Sequence, residues 1–115
     1  MPYYMYVALQ EDDKILVHTI EPQTGKLTPQ AEVSIPGGPF TMAISPDRKF
    51  LYAGCRDTPQ LASFQIDQDS GGLTQNGTIP VEGWPVYIAT DRKGKFVLSA
   101  YYQGAHVGVH PIGAD

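Results

Sequence analysis

Shifted by 46 residues without a gap, this 115-residue chain lands on itself. Sixty-nine positions can then be compared, and twelve are identical. The placement of the matches constrains the fold more than their number does. Tyr6 meets Tyr52, and Ile20 meets Ile66 and then Ile112. Gly25-Lys26-Leu27-Thr28 meets Gly71-Gly72-Leu73-Thr74, Pro39 meets Pro85, Ala43 meets Ala89, and Lys49-Phe50 meets Lys95-Phe96. Turn residues fall on turn residues and apolar centres on apolar centres, so one supersecondary unit is being restarted.

The unit is most complete between Gly37 and Ile79. PFTMAIS (Pro39–Ser45) is a strand candidate, followed by the turn Pro46-Asp47-Arg48-Lys49. The apolar run FLYAGC (Phe50–Cys55), the loop RDTPQ and the strand LASFQI (Leu61–Ile66) come next. An acidic, glycine-rich turn, Asp67 to Gly72, leads into LTQNGTI. Every connection is short and carries Gly, Pro, Asp or Ser, the residues that supply turn geometry. No window holds a sustained apolar spacing of 3.6, so no helix is expected. Four short antiparallel strands in a period of 46 are the signature of a β-propeller blade.

The fold class is therefore all-β, with about two and a half blades in 115 residues. The boundaries expected are 1–36 for an incomplete first blade, 37–80 for a complete one and 81–115 for a third that is again incomplete. Strands are expected at Tyr3–Leu9, Ile15–Ile20 and Leu27–Ile35 in the first, and at Pro85–Thr90, Phe96–Tyr102 and Val107–Ile112 in the third. MYVAL, FLYAGC and FVLSA are nearly continuous apolar runs, as expected when both faces of a middle strand are covered by neighbouring sheets. Propellers close with about four to eight blades. The open faces are therefore expected to be covered, either by more chain of the same protein or by self-association.

Composition narrows the class. Apolar residues make up 42% and charged residues 17%, a globular balance, and the net charge of −4 argues against a nucleic-acid partner. No apolar run approaches membrane-spanning length, and MPYYMYVAL lacks the basic start and cleavage site of a secretory leader. The single cysteine, Cys55, cannot form an internal disulfide, which fits a reducing compartment and suggests the cytoplasm.

Antiparallel order sorts the loops onto two faces. One face collects the linkers that open each blade, Pro36–Phe40 and Val81–Pro85, and the loops Gln10–Lys14, Arg56–Gln60 and Tyr102–His106. The other collects SPDRK, TDRKGK, PQTGK and QDSGG, which read as solvated turns. Loops that begin innermost strands lie nearest a propeller's axis, so the first face is the expected site.

ISPDRKFLYAGCR (Ile44–Arg56), the turns TGKLT and SGGLT, and ATDRKGKFVLSAYYQGAHVGVHPI (Ala89–Ile112), together with the 46-residue spacing, resemble the seven-bladed lactonase family. Its members include bacterial 6-phosphogluconolactonases and the fungal carboxymuconate lactonizing enzymes. The resemblance spans essentially the whole chain and keeps the blade phase. Seven periods of 46 come to about 320 residues, so this looks like the N-terminal third of such a protein. It implies a hydrolase of carbohydrate metabolism that opens a sugar-acid lactone without metal or cofactor. The alternatives are an isomerase closing a muconolactone and a non-catalytic propeller scaffold that binds a protein. It carries no catalytic set onto this chain, because the His, Arg and Glu usually proposed for the family lie in later blades.

Substrate-binding candidates come from the first face. Arg56 ends an apolar strand and offers a forked cation for a phosphate or carboxylate. The alternative is an ion pair with its neighbour Asp57. Gln10 and Tyr102 hold the equivalent place in the flanking blades. Tyr101, Tyr102 and His106 could hydrogen-bond a sugar or a lactone oxygen. Because alternate strand residues point opposite ways, one of the two tyrosines is expected to pack between blades. Trp84 and Phe40 could form a channel rim or pack in the core. His18, Phe64 and His110 are repeat-equivalent, which marks the two histidines as structural. His106 and His110 would lie roughly 13 Å apart along a strand, so they suggest no metal pair. Cys55 reads as an inert buried thiol.

Overall fold

A computed structural model describes residues 3–102 and 104–113. They form ten strands and no helix. The first sheet contains β1 (Tyr3–Leu9), β2 (Lys14–Ile20) and β3 (Leu27–Ser34). The second contains β4 (Pro39–Ile44), β5 (Phe50–Cys55), β6 (Gln60–Ile66) and β7 (Leu73–Pro80). The third contains β8 (Pro85–Thr90), β9 (Phe96–Tyr101) and β10 (His106–Pro111). Each sheet is an antiparallel meander, of three, four and three strands respectively. The fold expected from the repeat is present, and only the middle sheet has four strands of its own. Repeat equivalence with Asp67-Gln68-Asp69 predicts a turn at Gly113-Ala114-Asp115, which falls partly outside the described residues.

The period extends to the defects in the sheets. A bulge shifts the register between Val17 and His18 in β2, and another sits between Ser63 and Phe64 in β6, 46 residues on. The β4–β5 register shifts between Pro39 and Thr41, and the β8–β9 register between Pro85 and Tyr87, again 46 apart. Bulges increase local twist and re-aim side chains, so equivalent strand pairs share the same local irregularity.

Two cores lie between the sheets. Ile15 and Ile35 of the first sheet region pack with Leu51, Ala53, Cys55, Ala62, Phe64 and Ile66 of the second. Tyr52 and Leu61 leave the opposite face of the second sheet to meet Ile88 and Val97 of the third. Alternate residues of β5 thus serve different cores, and every residue from Leu51 to Cys55 is buried. The expected two-sided burial holds for β5 but not for its equivalents. In β9, Val97, Ser99 and Tyr101 are buried while Phe96 and Leu98 are 41% and 42% exposed. The difference is one of neighbours. The second sheet is covered on both faces by this chain, and the third on one.

Hydrogen bonds between the sheets reinforce the packing. The Tyr4 and Tyr6 hydroxyls donate to the Asp69 and Gly71 carbonyls at 2.8 and 2.7 Å. The Ile88 amide donates to Thr41 Oγ1 at 3.3 Å.

Candidate functional site

Register assigns the loops to faces as the sequence suggested. Pro39 pairs with Cys55, Gln60 with Pro80, and Pro85 with Tyr101, so these strand ends share one side of their sheets. On that side the Gly37–Gly38 turn is buried and well bonded. The Arg56 amide donates to the Gly38 carbonyl at 3.0 Å, and the Asp57 amide to the Gly37 carbonyl at 2.9 Å. The Gly38 amide donates to Asp13 Oδ1 at 3.0 Å, and Gln60 Nε2 to the Pro36 carbonyl at 2.9 Å. The first sheet's loop, the linker and the β5–β6 loop therefore form one bonded platform that sets where Arg56 leaves β5.

The Arg56 guanidinium lies 4.6 Å from the centroid of the Phe40 ring and 5.1 Å from that of Trp84. Phe40 is the second residue of β4, and Trp84 lies in the linker one residue before β8. Both are about two-fifths exposed (43% and 40%), so they wall the cation without closing it off. A cation over an aromatic face is worth about 0.5–2 kcal/mol, and each ring also limits how the planar group can rotate. The ion pair with Asp57 is not formed. The only salt bridge among the described residues is Lys14–Glu32, and the Asp57 carboxylate accepts instead from Gln10 Nε2 at 3.2 Å. Arg56 Nε is buried with no hydrogen-bond partner. Leaving such a group unsatisfied costs about 1–3 kcal/mol, more when it is charged. Arg56, Trp84 and Phe40 thus form one cluster.

The remaining candidates form a second group. His106 pairs with Tyr101 across β9 and β10, and their rings stack with centroids 4.4 Å apart and planes 15° from parallel. Tyr101 is buried, and its hydroxyl accepts a hydrogen bond from Ser99 at 2.9 Å. Ser99 Oγ also lies 3.4 Å from His110 Nε2. Of the two tyrosines, then, Tyr101 is the packed one, and it orients His106. Tyr102 is 85% exposed at the end of β9. Sequence reasoning missed Ser99. The available signal was its two-residue spacing from Tyr101 on a strand, which puts both side chains on one face.

Cys55 is fully buried, and burial pushes its thiol above the ordinary range. His18 is partly buried, with Nδ1 unpartnered. Two open grooves lie away from the Arg56 cluster. One, of about 300 Å³, separates the outer strands of the second and third sheets and is lined by Leu61, Asn76 and His110. The other, of about 650 Å³, lies on the opposite side between Tyr4, Tyr6, Pro46 and Asp67. The first is lined by no Lys or Arg; the second includes Arg48 beside the tyrosine hydroxyls, but with the carboxylates of Asp47 and Asp67 in the same lining.

Meanders packed face to face with a 46-residue period, and polar loops gathered at one end, define a segment of a β-propeller. The chain belongs to the lactonase, 7-bladed beta-propeller family, whose model matches residues 10–115. Among curated relatives, a 6-phosphogluconolactonase of Pectobacterium carotovorum is 40% identical over all 115 residues, which cover 34% of that relative. One of Serratia proteamaculans is 39% identical over the same span, again 34% of its length. The chain thus spans about a third of the curated relatives it matches. Among solved structures, a Bacteroides fragilis protein superposes with a TM-score of 0.85 at 22% identity, covering 94% of this chain and 31% of that one. A periplasmic gluconolactonase of Pseudomonas aeruginosa superposes at 0.75 with 25% identity, covering 95% of this chain and 37% of that one.

Proposed function

We propose that this chain is the N-terminal part of a lactone hydrolase that opens 6-phosphogluconolactone or a closely similar sugar-acid lactone. The carrying observation is the 40% identity to relatives of that name along the whole of this chain. In this reading residues 1–36, 37–80 and 81–115 are successive blades, and further blades of the same protein complete the ring.

Lactone opening adds water to the carbonyl carbon, breaks the ring C–O bond and returns a proton to the ring oxygen. The face bearing Arg56, Tyr102 and His106 suits binding and orientation. Arg56 supplies positive charge, while exposed Tyr102 and stacked His106 supply groups able to hydrogen-bond a polyhydroxylated ring. The group that activates water is assigned to blades outside this chain. Buried, unpaired Cys55 fits a cytoplasmic location, which cell fractionation checks. The full-length protein assayed with 6-phosphogluconolactone and with a carboxymuconate tests the reading. Turnover of the lactone is expected, and turnover of the muconate alone overturns it.

A further inference from the structure

We infer that Arg56, held between Phe40 and Trp84, is the subsite for the substrate's phosphate and sets the preference for phosphorylated lactones. The inference rests on the lactone hydrolase reading and adds to it which group of the substrate meets which residue.

Three observations converge. First, the guanidinium has no anionic partner among the described residues, because adjacent Asp57 is engaged by Gln10 and packed over Gly38. Second, aromatic rings 4.6 and 5.1 Å away, one in β4 and one in the linker before β8, restrict it, so its plane is set before any ligand arrives. Third, its Nε is buried without a partner while the rings beside it stay partly open to solvent. A planar fork held in this way offers paired N–H donors to a tetrahedral anion, which a flexible point charge does not.

Substrate chemistry selects the anion. In a gluconolactone the single carboxyl group is tied up as the ring ester and carries no charge. Before ring opening, a phosphate ester is therefore the only fixed anion the substrate can present. A cation on the binding face would then separate phosphorylated from unphosphorylated lactones, and would do so mainly through affinity.

The test uses the full-length protein with 6-phosphogluconolactone, with unphosphorylated gluconolactone, and with 6-phosphogluconate as a non-reacting ligand. For Arg56→Met, KM for the phosphorylated lactone should rise roughly 10- to 100-fold, the loss expected of charge-assisted hydrogen bonds, with a smaller change in kcat. Arg56→Lys keeps the charge but loses the fork, and should fall between wild type and Arg56→Met. The wild-type preference for the phosphorylated substrate should shrink in the same order. Calorimetric titration with 6-phosphogluconate, with gluconate as the control for its free carboxylate, reads the phosphate subsite without turnover, and thermal melting of each variant confirms folding. Equal 6-phosphogluconate affinity in wild type, Arg56→Lys and Arg56→Met would overturn the inference even if all three open lactones. If wild type opens no lactone yet binds 6-phosphogluconate through Arg56, the functional reading fails and the anion subsite stands.

Discussion

The Tyr6 hydroxyl donates to the Gly71 carbonyl at 2.7 Å, across 65 residues of chain. It joins the first sheet to the turn that starts the last strand of the second. Burial pushes the Tyr6 hydroxyl above its ordinary pKa, with neighbouring Tyr4 adding to the shift, so it stays a donor at neutral pH. Tyr6→Phe should destabilise the full-length protein by about 1 kcal/mol in chemical denaturation. Gly71→Ala should cost more. The residue has φ +75°, and a Cβ there would lie 2.5 Å from the Tyr4 ring. Equal stability of Gly71→Ala and wild type would refute this.

Arg48 and Gly94 are repeat-equivalent and share a left-handed backbone, with φ of +63° and +70°. The arginine side chain forms no hydrogen bond or ion pair among the described residues, so only its backbone contributes strain. Arg48→Gly should stabilise by about 0.5 kcal/mol, the left-handed cost less the extra entropy of glycine. Gly94→Ala should destabilise by about 1 kcal/mol. Opposite signs at the two sites are the expected result.

Most of the fold could be read from the chain. Its strands are short, its turns are marked by Gly, Pro and Asp, and within each sheet every strand pairs with the next one in sequence. The repeat alone puts Tyr6, Ile20 and Phe50 in settings equivalent to those of Tyr52, Ile66 and Phe96. The site was only partly readable. Arg56, Phe40 and Trp84 sit in three segments of the chain, and their meeting depends on how the sheets stack, which no local pattern encodes. The role of Ser99 depends on cross-strand register, which a single residue does not announce.

Acid should weaken the aspartate-bearing turns on the face opposite Arg56. The Asp67 carboxylate accepts from the Ser70 and Asp69 amides, both at 2.9 Å, and Asp91 accepts from the Phe96 and Lys95 amides at 2.9 and 2.7 Å. These bonds hold both carboxyls below the ordinary aspartate value, and for Asp47 the Ser45 hydroxyl does so first. A depressed folded value favours the native state above the ordinary value, near 4, and that advantage is lost as pH falls through the folded one. The melting temperature should hold from neutral pH to about 5 and decline below about 4. The decline should be shallower in the Asp67→Asn, Asp91→Asn double variant. Carboxyl titration by NMR gives the folded values directly.

Cys55 should resist thiol reagents in the native protein. It is fully buried, and its raised pKa leaves little thiolate. Labelling with an aromatic disulfide should follow global unfolding in denaturant. Rapid labelling without denaturant would show that the core between the first two sheets opens locally.

The isolated 115-residue chain should self-associate. Val107 and Val109 are 76% and 59% exposed on the third sheet, beside Leu98 and Phe96. Burying apolar surface is worth about 25 cal/mol per Å², enough to draw such faces together at micromolar concentration. Sedimentation velocity should show species larger than a monomer. A sharp monomer boundary with a cooperative melt would contradict this.

The tyrosine bridges to Asp69 and Gly71 also set a timetable for biosynthesis. Chains leave the ribosome at about 5–20 residues per second and fold from the N-terminus as segments emerge. Tyr4 and Tyr6 are made 65 residues before their acceptors. For those seconds the first meander has its strand pairs without its lateral anchor, and Ile15 has not yet met Phe64 across the core. Nascent chains stalled before residue 71 should therefore bind a general chaperone, and those stalled well past it should release.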